Sequence, residues 1–225
     1  MLGATLGLLT GALTVLAATV PFTRGDSASI RDRFSVVRAG LSKRTAAYLV
    51  VVASVVAPVA YAAVRVTAYI PMLEWGLLGE NVFTAPLNTL VETAAADGSQ
   101  PDTAGTAADN TAMMLGDVLS APAELVLLAA ATVAFAAALQ YAFAVLVIDE
   151  EELWRGSYAK VAVWAVLHMF AGIPLYAVIP LFSAGVVYEQ IHRRDGFEAA
   201  VAAHYAMNSV VIWFLLATAA LLFLL

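Results

Sequence analysis

Four long, predominantly apolar runs, at residues 2–22, 46–69, 122–148 and 198–225, constrain this chain more than any other feature. Each has about the 20 residues that a helix needs to cross the hydrocarbon core of a bilayer. Backbone polar groups in lipid must be satisfied inside the segment or around a closed barrel, and a barrel strand alternates apolar and polar residues. These runs do not alternate, so they are predicted to be helices. A fifth run, 160–189, is too long for one upright span and carries Pro174 and Pro180 in its middle. It reads as two short helices. With 62% of its residues hydrophobic and 12% charged, the chain has no stretch that reads as a soluble domain. The expectation is an all-α, polytopic transmembrane helical bundle of about six spans, a single integral membrane domain over residues 1–225. Residues 1–121 supply the first two spans and an acidic outer loop, and 122–225 supply the remaining helices. The segment 71–96, with Trp75, Glu80, Asn81 and Pro86, suits the outer headgroup boundary; an extra pair of crossings there would raise the count to eight.

Orientation follows from the basic residues, because loops kept on the cytoplasmic side are enriched in Lys and Arg. Arg24, Arg31, Arg33, Arg38, Lys43 and Arg44 follow the first span, Arg155 and Lys160 the third, and Arg193 and Arg194 precede the last. Six spans place all three groups on one side and leave Arg65, near a span end, as the exception among 11 basic residues. Both ends of the chain then face outward in a cell membrane. The first run lacks a basic segment before it, so it is expected to stay as an anchor instead of leaving as a signal peptide.

Cysteine is absent, which excludes disulfides, thiolate metal sites and a cysteine nucleophile. Asp97, Asp102, Asp109 and Asp117 stand among Gly, Ala, Ser and Thr with no basic residue, a pattern expected of a mobile acidic loop. Topological retention accounts for almost every basic residue, so no nucleic-acid partner is expected.

Ionisable side chains within apolar segments mark functional sites by default. Asp149, Glu150, Glu151 and Glu152 come in succession at the inner end of the third span, followed by Arg155 and Gly156. On a helix Glu151 and Arg155 are four apart, the acid first, which is the favourable order for an ion pair. Glu150 is rotated from Glu151 by about 100°, so it can point elsewhere and act as a general base beside an imidazole. A solvated acidic cap is the plainer reading, and it suffices for Asp149 and Glu152. His168 lies eight residues into the next helix with Trp164 four residues earlier, on the same face, as a wall. His204 and Asn208 share a face of the last span. Each of the three polar residues has a bland role as an interhelical hydrogen-bonding group; a carboxylate pair, two histidines and an amide on three helices are harder to treat as unrelated.

In that order and spacing the residues resemble the CPBP family of intramembrane proteases, which includes the CAAX prenyl endopeptidases. The family's Glu-Glu-x-x-x-Arg motif, usually followed by Gly, is met by Glu150, Glu151, Arg155 and Gly156. Its Phe-x-x-x-His motif is met by His168, with Trp164 in place of phenylalanine, and its His-x-x-x-Asn motif by His204 and Asn208. Gly185, Tyr188 and Gly196 stand where the family places a glycine-bearing helix end and turn. The resemblance covers residues 149–208 and their flanking helices, and it rests on the three motifs together.

The resemblance implies hydrolysis of a peptide bond in a membrane-associated peptide or protein by water, with no cofactor, metal or covalent intermediate. Glu150 would be the general base, aided by His168. His204 and Asn208 would donate to the oxyanion, and Glu151 and Arg155 would hold the base in place. Two other classes fit the same residues. One is a zinc-dependent membrane hydrolase that uses His168, His204 and Glu150 as ligands. The other is a non-catalytic receptor, scaffold or proton-coupled transporter on the same fold.

Overall fold

The computed structural model describes residues 2–23, 27–74 and 122–224, and among these every regular element is helical. The acidic stretch 97–117 and most of the segment 71–96 lie outside the described residues. Seven α-helices are described: α1 (Leu2–Thr23), α2 (Ser27–Gly40), α3 (Lys43–Thr67), α4 (Pro122–Trp154), α5 (Tyr158–Leu167), α6 (Val178–Asp195) and α7 (Phe197–Leu224). Three of them, over Thr5–Thr23, Lys43–Thr67 and Val126–Trp154, are long and apolar enough to cross a membrane.

Several boundaries have plain local causes. Ser42 accepts from the backbone N–H of Arg44 and Thr45 returns a bond to the Ser42 N–H, a reciprocal arrangement that satisfies orphan donors at the start of α3. Pro122 opens α4, where its missing N–H is harmless. Gly156, at φ +83°, provides the left-handed residue that stops α4 after Trp154. The run 160–189 does divide in two. A 3₁₀ turn over His168–Ala171 ends at Gly172, also left-handed, and Pro174 disfavours helix in the residue before it. Pro180 does not break the chain, because it falls in the first turn of α6, where proline is tolerated.

One expectation is corrected. The basic stretch after the first span, expected to be a loop, forms a helix over Ser27–Gly40. It buries Val37 with Ala144, Val147 and Ile148 of α4 and Val201 of α7. At its end Gly40 lies so close to α7 that a Cβ there would collide with the Glu198 carbonyl.

Helix α7 is central. Leu8, Ala12 and Val15 of α1 pack with Phe135 and Leu139 of α4 and Ile212 of α7 in one core. A second core joins Val52 of α3, Trp154, Trp164 of α5, Tyr188 of α6 and Ala203 of α7. The run Ala200, Val201, Ala202 and Ala203 is fully buried, and small side chains there let neighbouring helices approach closely. Polar ties gather at one end of the bundle. Arg33 pairs with Asp149, Arg44 with Asp195, and Glu189 accepts from the Gly156 N–H.

Candidate functional site

The acid run at the end of α4 points in several directions, as successive helical residues must. Asp149 turns toward α2, where both of its oxygens accept from Arg33, at 2.8 and 3.1 Å. The same guanidinium donates to the Val145 and Phe22 carbonyls at 2.6 and 3.1 Å. Glu151 turns inward and is 2% exposed. It accepts from Trp154 Nε1 at 3.1 Å, and its Oε1 lies 3.2 Å from His204 Nδ1. Glu150 is partly exposed to a cavity, and its Oε2 lies 3.7 Å from His204 Nε2.

His204 therefore sits between the two glutamates, one at each ring nitrogen. Its ring is buried, stacked on Tyr188 at 4.5 Å and 20°, with Trp164 perpendicular at 5.9 Å. Such a cage fixes the plane of the imidazole and keeps water from its faces. One turn along α7, Asn208 lines the same cavity, and its amide makes no hydrogen bond among the described residues.

His168 is placed at the end of α5 and not within a continuous helix, for the Gly172 and Pro174 reasons above. Its Nδ1 lies 3.0 Å from the Trp164 carbonyl. A carbonyl only accepts, so Nδ1 carries the hydrogen and Nε2 presents a lone pair. Trp164 meets the His168 ring edge-on at 4.4 Å, the wall expected from their spacing. Glu150, Trp164, His168, His204 and Asn208 all line one cavity of about 580 Å³, whose other walls are apolar side chains such as Val52, Ile173, Leu181 and Met207. A volume in this range suits a small ligand or a short peptide stretch. Among the described residues no group of three or more His, Asp or Glu side chains is arranged to hold a metal ion.

The Glu151–Arg155 ion pair expected from sequence does not form. Helix α4 ends at Trp154 and Gly156 turns the chain, so the one-turn geometry that pairs residues four apart is lost before Arg155. Its side chain is exposed, with the guanidinium 5.8 Å from the Phe197 ring centroid. Glu151 takes Trp154 and His204 as partners instead.

Comparison with family models, with curated proteins and with solved structures finds no match for the chain.

Three residues that brace the site escaped the sequence reading. Glu189 on α6 is 1% exposed. It accepts from Arg193 at 2.6 Å and from the Gly156 N–H at 3.0 Å, and so ties the turn behind the two glutamates to α6. Its four-residue spacing to Arg193 was a usable signal. Trp154 Nε1 had a similar one, its three-residue spacing to Glu151 on α4, whereas Arg33 had none, because its partner lies on a distant helix.

Proposed function

We propose that the chain is a glutamate-type intramembrane endopeptidase, in line with its resemblance to the CPBP proteases. The observation that carries this reading is the meeting of Glu150, His168, His204 and Asn208, from distant points of the sequence, at the wall of one largely apolar cavity. Glu150 takes a proton from a water molecule whose oxygen attacks the peptide carbonyl carbon. The oxyanion accepts hydrogen bonds from Asn208 and from His204 Nε2–H. The C–N bond then breaks, and Glu150 returns the proton to the departing nitrogen. One preorganised oxyanion donor is worth about 2.7–4 kcal/mol of barrier. His204 donates from Nε2–H while Glu151 holds the ring at Nδ1, the orienting role that a carboxylate plays behind a catalytic histidine.

In this reading the bundle crosses the cell membrane six times, with α7 and the shorter α5 and α6 completing the three long spans. The end that carries Arg33, Arg44, Arg155, Arg193 and Arg194 faces the cytoplasm. The site then opens in the inner half of the membrane, where membrane-associated peptides are within reach and water is limited. No metal takes part. The test compares peptides from membranes of cells expressing the wild type and Glu150→Gln. New carboxyl termini found only with the wild type support the reading, and identical peptide sets overturn it.

The row Glu150, His204, Glu151 favours one second reading, a proton-coupled transporter, since alternating carboxylates and imidazoles form proton relays in membranes. Proton uptake into liposomes containing the purified chain, lost in Glu150→Gln while no peptide is cut, would identify it.

A further inference from the structure

Trp164 presents a donor that the site as described leaves unused. Its side chain is 3% exposed, and Nε1 is buried without a hydrogen-bond partner among the described residues. The N–H lies beside the Glu150 carboxylate but does not reach hydrogen-bond geometry with it. Its position is tightly held: the ring packs against Trp154 at 3.9 Å and against His168 at 4.4 Å, and Gly185 brings α6 close behind it. Buried N–H groups in native proteins are nearly always paired, so a rigid, unpaired one on a cavity wall marks a place for an acceptor. A phenylalanine would make the same wall and supply no donor.

Resting on the peptidase reading above, we propose that Trp164 Nε1–H holds the attacking water. The chemistry of its neighbours determines the arrangement. The Glu150 carboxylate accepts, and His168 Nε2 accepts because Nδ1–H is spent on the Trp164 carbonyl. A water molecule between them gives one hydrogen to each. One lone pair accepts from Trp164 Nε1–H, and the other is left facing the peptide carbonyl. During attack the water oxygen bonds to carbon, the hydrogen on the Glu150 side passes to that carboxylate, and Glu150 gives it to the nitrogen when the C–N bond breaks. Trp164 exchanges no proton. It touches the reacting oxygen and fixes the direction of its remaining lone pair.

The test replaces Trp164 site-specifically with 3-benzothienylalanine, which keeps the bicyclic shape and lacks the N–H, and separately makes Trp164→Phe. Cleavage of an apolar membrane peptide in liposomes is measured beside wild type and Glu150→Gln. The expected result for the isostere is a kcat on the order of 10²-fold lower, with KM and thermal unfolding unchanged, and a comparable kcat loss in Trp164→Phe. An isostere within twofold of wild type overturns the proposal and leaves the peptidase reading standing. A raised KM at unchanged kcat also overturns it, since the indole would then bind substrate. Full cleavage by Glu150→Gln overturns both.

Discussion

Glu151 holds His204: Oε1 lies 3.2 Å from Nδ1, and both side chains are almost completely buried. The other oxygen of Glu151 accepts from Trp154 Nε1, so one carboxylate secures two aromatic groups on different elements. Glu151→Ala should strand two buried donors, at about 1–3 kcal/mol each. Thermal unfolding in detergent should show a large loss for this variant and a smaller one for Trp154→Phe, which leaves one carboxylate oxygen unpaired while the other still holds His204. A Glu151→Ala protein that melts like wild type would mean that this carboxylate does not organise the site.

Arg155 should matter little to folding. It is exposed and carries no ion pair among the described residues, with only a cation–π approach to Phe197. Arg155→Ala should shift stability by no more than about 0.5 kcal/mol, the usual range for surface changes. A melting loss equal to that of Glu151→Ala would restore the pairing expected from the motif.

Arg33 should matter more, because it bonds Asp149 with both nitrogens and also reaches the Val145 and Phe22 carbonyls. Arg33→Met should destabilise by about 1–3 kcal/mol, and Arg33→Lys should recover only part of it, since an ammonium cannot reproduce the planar fork. Equal melting of Lys and Arg forms would show that charge alone suffices.

Gly185 sets how near α6 comes to the wall of the site. A Cβ there would stand 2.5 Å from Val161 Cγ1 and 3.2 Å from the Trp164 ring. Gly185→Ala should cost about 1–3 kcal/mol by overpacking and lower cleavage by displacing Trp164. Adding Val161→Ala should return both toward wild type, a coupling that a double-mutant cycle measures. Additive losses would place the strain elsewhere.

The helices were legible because long apolar runs have few other fates in lipid, and the long helices match those runs to within a few residues, apart from α4, which continues to Trp154. The convergence of Glu150, His168, His204 and Asn208 on one cavity was legible from motif order and spacing. Arg155 shows the limit of that reasoning: a spacing rule for helices holds only while the helix lasts, and α4 ends at Trp154, one residue before Arg155. Asp149 reads from sequence as a solvated cap because its partner, Arg33, is 116 positions away. Glu189 was overlooked at the edge of an apolar run, although its burial against the turn at Gly156 links the two motif-bearing halves of the site.

The most direct measurement is cleavage of a single membrane-spanning peptide by purified protein in liposomes prepared in H₂¹⁸O, with a strong chelator present, for wild type, Glu150→Gln and His204→Ala. The expected result is a wild-type product whose new carboxyl terminus carries ¹⁸O, unaffected by the chelator, and no product from either variant. Cleavage that survives in Glu150→Gln, or that stops with the chelator and returns on adding zinc, would contradict a glutamate-activated water.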